Sequence, residues 1–170
     1  MPTNVEIKAR VHDPAIAALA RRLSDAPPET VHQRDTFFGC PHGRLKLREL
    51  GSGGSELIWY DRPDTAGSKR SDYRLAAVAD PAALRVILER AYGVTQLVEK
   101  TRTLCLVGQT RIHLDEVVGL GSFVELEVVL HDGQPESEGH QIAAELMARL
   151  GIAATDLLTG AYAEMLPRDV

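Results

Sequence analysis

Cysteine, long apolar runs and surplus positive charge are all missing or scarce in this sequence, and each absence removes a class of protein. Only Cys40 and Cys105 occur, far apart and outside any CxxC or Cys/His cluster, so no metal site of that kind is expected and both are read as free thiols. No stretch approaches the roughly 18 apolar residues that a membrane-spanning helix needs. The opening MPTNVEIKAR lacks the basic start and apolar run of a secretory signal. A cytoplasmic protein with no membrane partner is the expectation. Lys and Arg number 19 against 24 Asp and Glu, a formal net charge of −5. Broad binding to nucleic acid or anionic lipid requires a basic face that displaces counterions, so any basic chemistry here must be local. The glycine-rich stretch Gly51-Ser52-Gly53-Gly54-Ser55 is followed by no P-loop lysine, and it is read as a flexible hairpin turn.

What is present suits one domain spanning residues 1–170, with 44% hydrophobic and 25% charged residues and enough length to bury a core. Alternating or β-branched patterns separated by turn residues predict strands over 4–12, 31–38, 44–50, 56–62, 72–78, 96–107, 110–117 and 123–130. Helical periodicity covers 13–23, 80–92, where Asp80 caps and Pro81 follows, and 138–150, stopped by Gly151; a last short helix is expected over 155–166. Short connections between successive strands favour antiparallel neighbours. The fold class is therefore α+β, about eight strands in an antiparallel β-barrel or strongly curved sheet with helices packed outside.

Charge sits on alternate strand positions. Asn4, Glu6, Lys8 and Arg10 share one face against Val5, Ile7, Ala9 and Val11. The split recurs at Arg44, Lys46 and Arg48, at Lys100 and Arg102, at Arg111, His113 and Asp115, and at Phe123, Glu125 and Glu127. A single such strand is ordinarily a half-buried sheet with a solvated face. Outer helices must cover the apolar alternates, however, which turns the charged faces inward. An interior of charge is costly unless each charge has a partner, and a bound polyanion with a divalent cation supplies one. Arginine forks and lysine ammoniums neutralise phosphate oxygens, while the carboxylates become useful by holding Mg²⁺ or Mn²⁺, the division of labour of phosphoryl or nucleotidyl transfer. His113 is read as a wall residue rather than a base, Tyr60 and Tyr73 as wall, Trp59 as packed beneath an outer helix, and Asp61 and Asp64 as turn-formers beside Pro63.

NVEIKAR resembles the ExExK signature of the CYTH superfamily of triphosphate tunnel metalloenzymes. The likeness continues in order through DTFF, GRLKLRE, LIWYDRPD, VEKTRTL, RIHLDEVVGLGSFVELEVV and DLLTGAYAEML, over nearly the whole chain. That resemblance implies an eight-stranded tunnel and a small-molecule triphosphate substrate: ATP, inorganic triphosphate or thiamine triphosphate. The hairpin LDEVVGLGSFVELE is similar to that of class IV adenylyl cyclases, which points to ATP converted to cyclic AMP and pyrophosphate; the alternatives are a triphosphatase and a non-catalytic nucleotide or polyphosphate sensor. By resemblance, Glu6, Lys8 and Glu125 are catalytic. Lys8, Arg10, Lys46, Arg48, Arg62, Arg74, Lys100 and Arg102 bind phosphate, and Glu6, Asp115, Glu125 and Glu127 hold Mg²⁺ or Mn²⁺. The chain would act as a monomer or homodimer. It departs from the signature at Asn4, which stands where the first glutamate is expected and keeps an oxygen ligand without its charge.

Overall fold

In a computed structural model that describes residues 3–167, alternation along the strands closes into a barrel. The first two and last three positions of the expected 1–170 domain lie outside the described residues. The strands are β1 (Thr3–Arg10), β2 (Glu29–Phe38), β3 (Arg44–Leu50), β4 (Ser55–Asp61), β5 (Lys69–Ala77), β6 (Val94–Val107), β7 (Thr110–Val117) and β8 (Gly121–Val129). Around the barrel they run β1-β5-β4-β3-β2-β6-β7-β8, every neighbour antiparallel, and β8 returns to β1 to remove the free edge. Outside lie α1 (Ala15–Leu23), α2 (Pro81–Tyr92) and α3 (Glu136–Leu150), followed by a 3₁₀ turn at Ala154–Asp156 and the one-turn α4 (Tyr162–Met165). No helix among the described residues is long and apolar enough to cross a membrane.

Most of the apolar core is outside the barrel wall. Ile7, Ala9, Ile112, Leu114, Val124 and Leu126 face outward and are covered by Ile16 and Ala20 of α1 and by Leu146 and Leu150 of α3. Burying each such aliphatic contributes about 1.5–3 kcal/mol, and this is what forces the alternate polar residues into the barrel. A second cluster seats Leu88 of α2 on Phe38 and Leu47. Where α3 crosses β1 the approach is close enough to require Gly139, because a Cβ there would stand 2.7 Å from Val5 Cγ2 and 2.8 Å from Leu130 Cδ2. Gly139→Ala gains about 1 kcal/mol of helix propensity but meets a buried β-branched neighbour, an overpacking term of about 1–3 kcal/mol. Thermal melting should register a net fall of about 2–4 °C; a rise would mean that α3 slides freely on β1.

Most boundaries shift by one to three residues from expectation, and three of the differences have a clear physical reason. β5 starts at Lys69 rather than 72, since the charged pair Lys69 and Arg70 ladders onto Glu6 and Val5. α1 starts at Ala15 rather than 13, because Asp13 stays outside and its carboxylate accepts from the Ala15 amide at 2.8 Å. The single helix expected over 155–166 is two short pieces. Between them Leu157 bridges to Ala9 and the Leu158 amide donates to the Lys8 carbonyl, which draws that backbone onto β1 instead.

Candidate active site

Interior positions of all eight strands converge on one cavity of about 470 Å³. Glu6 and Lys8 from β1, Lys46 and Arg48 from β3, Arg62 after β4, Lys100 and Arg102 from β6, and Glu125 and Glu127 from β8 all line it. Pairing of β1 with β8 sets Lys8 beside Glu125 and Glu6 beside Glu127. The acids of the first and last strands thus share one wall.

The cations are held in two Lys-x-Arg clusters, each gripped by an aspartate. Asp35 on β2 accepts from Lys46 Nζ at 2.9 Å and from Arg48 Nε and Nη2 at 2.8 Å each. Asp115 on β7 accepts from Arg102 Nε at 2.7 Å and Nη2 at 2.6 Å, from the Tyr162 hydroxyl at 2.9 Å, and lies 3.6 Å from Lys100 Nζ. Burial pushes the Asp35 carboxyl up, but Lys46 and Arg48 outweigh it and hold the group well below its ordinary range. Burial, then the neighbouring Arg48, pulls Lys46 down to about 8; burial and Arg102 pull Lys100 well below the usual lysine range. Burial first, and neighbouring guanidinium groups second, disfavour the charged form of both ammoniums, and an anion beside them would restore it.

The acids form the complementary region. Glu125 Oε2 lies 3.2 Å from Arg102 Nη2 and 3.8 Å from Lys8 Nζ. Glu127 Oε2 meets Arg111 Nε at 3.0 Å, and Glu6 Oε1 meets Arg62 Nε at 3.1 Å. Although burial raises it, Glu125 is kept ionised by Lys8 and Arg102. Burial and then the Glu125 charge push Glu6 up to about 7 and raise Glu127 as well. Like charges crowded in this way favour a cation between them. Ligand atoms of His113, Glu125 and Glu127 all fall within 4.8 Å of one another, and His113 Nδ1 has no hydrogen-bond partner. The donor set of this group therefore fits a divalent metal.

Three residues expected at the site are placed elsewhere. Asp115 is inside the barrel but does not reach the cavity: its carboxylate is saturated by Arg102, Lys100 and Tyr162, so it positions cations instead of joining the acidic group. Arg10 ends β1 with its guanidinium 4.8 Å from the Phe123 ring and Nη1 donating to the Leu120 carbonyl, bracing the β7–β8 turn. Arg74 is exposed on the outer face, because β5 turns Ser71, Tyr73 and Leu75 inward. Trp59 is also corrected: its Nε1 donates to the His42 carbonyl of the β2–β3 loop. Tyr60, Tyr73 and His113 do line the wall, as does Asn4, whose Oδ1 is buried without a partner.

Two important residues carried no assignment from sequence. Asp35 had a weak signal, since aspartate is depleted from strand interiors and needs a reason to be there. Tyr162 had none. It re-enters one end of the barrel from α4, its ring centroid 3.8 Å from Lys8 Nζ, 5.1 Å from Lys100 Nζ and 4.9 Å from Phe123. Lys69 Nζ fastens this segment by donating to the Thr159 carbonyl at 3.0 Å.

A family model described as CYTH domain matches residues 2–162. Adenylate cyclase CyaB of Aeromonas hydrophila is 26% identical over 171 residues, covering 93% of this chain and 85% of the relative. Among solved structures, the PH1012 protein of Pyrococcus horikoshii OT3 superposes with a TM-score of 0.86 at 24% identity over 96% of this chain and 99% of the other. HpAC1 of Hippeastrum, described by a dominant triphosphatase activity, superposes with a TM-score of 0.63 at 16% identity over 93% of this chain and 91% of the other; these two likenesses are ones of fold.

Proposed function

The chain belongs to the CYTH domain family, and from that premise we propose that it is a metal-dependent enzyme that converts a nucleoside triphosphate, ATP first, to its cyclic monophosphate and pyrophosphate. The observation that carries this reading is the facing of two Lys-x-Arg clusters, Lys46/Arg48 and Lys100/Arg102, and the His113–Glu125–Glu127 group across one cavity. The lining also differs from one end of the barrel to the other. Tyr162 caps the end that holds Lys8 and Lys100, whereas Val31, Leu75 and Leu104 add apolar side chains to the lining, interspersed with Glu29, Glu56 and Arg111. A triphosphate lying along the barrel with its terminal phosphate against Lys8 and Lys100 would have its α-phosphate nearer Glu127.

Glu125 and Glu127, with Glu6 beside them, would hold the cation. When bound, a divalent ion neutralises phosphate oxygens and polarises the phosphorus under attack. Arg48 and Arg102, their Nε and Nη2 held by Asp35 and Asp115, would meet the phosphate chain with their remaining N–H groups, and Lys46, Lys8 and Lys100 would balance the charge that grows on the departing pyrophosphate. Attack of the ribose 3′-hydroxyl on the α-phosphorus forms the cyclic ester, breaks the bond to the bridging oxygen and releases pyrophosphate and a proton. Hydrolysis of the terminal phosphate is the second reading, motivated by the same cation set and by the activity described for HpAC1. A sensor without turnover is the third, motivated by the uncharged Asn4.

Purified protein should be offered ATP, inorganic triphosphate and thiamine triphosphate with Mg²⁺ or Mn²⁺ while phosphate, pyrophosphate and cyclic AMP are followed together. Cyclic AMP and pyrophosphate in equal amounts are expected. Phosphate alone would replace the cyclase with a triphosphatase, and tight binding with no product would leave the sensor, making Asn4→Glu the first reversion to try.

Lysine crowding yields a further expected result. Burial and Arg48 hold Lys46 at about 8, and a polyanion favours its charged form, so triphosphate binding at pH 9 should take up protons. Calorimetry in buffers of different ionisation enthalpy should give a binding enthalpy that depends on the buffer at pH 9 and loses that dependence on Lys46 near pH 6. Proton release at pH 9 would count against phosphate lying on Lys46.

A further inference from the structure

We propose that His113 is a nitrogen ligand of the metal site, which makes this chain prefer a first-row transition ion such as Mn²⁺ over Mg²⁺. The proposal rests on the metal-dependent reading above. Strand pairing sets His113 on β7 directly across from Glu125 on β8. Its Nδ1 lies 3.8 Å from Glu127 Oε1, and the candidate ligand atoms of the three residues lie within 4.8 Å of one another. The imidazole is 8% exposed, yet Nδ1 has no hydrogen-bond partner. A histidine that merely fills a wall normally satisfies a nitrogen this deeply buried.

Its neighbours are arranged so that the nitrogen faces an acceptor of cations. The ion pairs of Glu125 with Arg102 and Lys8, and of Glu127 with Arg111, all run through Oε2. Those contacts brace both carboxylates while Glu127 Oε1 remains on the His113 side. Asn4 lines the same cavity with a neutral carboxamide and adds no charge that would compensate for a weak ligand set. Mg²⁺ requires hard oxygen ligands and sheds its waters reluctantly. One imidazole with two carboxylates suits a first-row ion better, since affinity for nitrogen donors rises along that series.

The unmodified protein, loaded with Mn²⁺, should be examined by pulsed electron paramagnetic resonance, once with natural histidine and once with ¹⁵N-labelled histidine. A ¹⁴N modulation that changes to the ¹⁵N pattern is expected. Titration calorimetry of Mn²⁺ and Mg²⁺ completes the test: His113→Gln should weaken Mn²⁺ by at least about 10-fold, the scale on which even outer partners of a metal act, and Mg²⁺ far less. Glu125→Gln should weaken both ions. Mn²⁺ bound without coupling to a histidine nitrogen overturns the proposal while the metal-dependent reading stands, and equal loss of both ions in His113→Gln overturns the preference. If neither ion binds the wild type, even with inorganic triphosphate present, both readings fall together. The resonance measurement needs no variant, so a poorly folded His113→Gln would not shield the proposal.

Discussion

Glu125→Gln should turn ATP over roughly a thousandfold more slowly than the wild type while binding inorganic triphosphate more tightly in the absence of metal. The magnitude follows from losing a carboxylate proposed to hold the metal, several kcal/mol of transition-state stabilisation at 1.36 kcal/mol per tenfold. The opposite sign on metal-free binding follows from location. Glu125 is ionised, 3.2 Å from Arg102 and 3.8 Å from Lys8, so it competes with a phosphate for the same cations. An amide of equal size keeps the hydrogen-bond acceptor and removes the charge. Relief of the like-charge contact should also return Glu6 from about 7 toward the ordinary carboxylate range, since Glu125 is second only to burial in raising it. Steady-state kinetics with metal and calorimetry without it separate the two effects. Full activity at saturating metal would remove Glu125 from the reaction.

The same geometry explains which parts of the molecule were legible in the sequence. Period-two alternation on β1, β3, β6, β7 and β8 is a local property, and with apolar alternates covered by α1 and α3 it can point its charges only inward. The fold and the inward placement of Lys46, Arg48, Lys100 and Arg102 follow from that. On β5 the periodicity was ambiguous, because Lys69, Arg70, Asp72 and Arg74 offer charge on both faces, and only the ladder to β1 places Ser71 rather than Asp72 opposite Asn4. Asp115 shows a different limit. Its face was right, but a side chain at the correct face and depth still serves whichever partner is nearest, and two Arg102 nitrogens reach it first. Tyr162 lies beyond any local rule, since its place is set by contacts with strands more than a hundred residues earlier, such as the Leu158 amide on the Lys8 carbonyl.

Removal of Asp35 should give the largest change in stability. Asp35→Ala leaves Lys46 and Arg48 buried without their shared counter-ion, a loss of about 3–5 kcal/mol by the measure of broken buried ion pairs. Neutral replacement by Asn spares the volume but not the charge, so it should lose a similar amount. The pH dependence has a definite sign. Lys46 and Arg48 depress the Asp35 carboxyl in the folded state, so its contribution is complete above the unfolded value near 4 and fades as pH falls below it; the gap between wild type and Asp35→Asn should close in acid. A polyanion should close it at neutral pH too. If Asp35 occupies electrostatically the place that a phosphate takes in the loaded barrel, inorganic triphosphate must raise the melting temperature of Asp35→Ala more than that of the wild type, because the added anion meets two unmatched cations in one and a satisfied cluster in the other. Equal shifts would mean that phosphate does not reach Lys46 and Arg48, and the cluster would then be scaffolding for the wall rather than a part of the binding site.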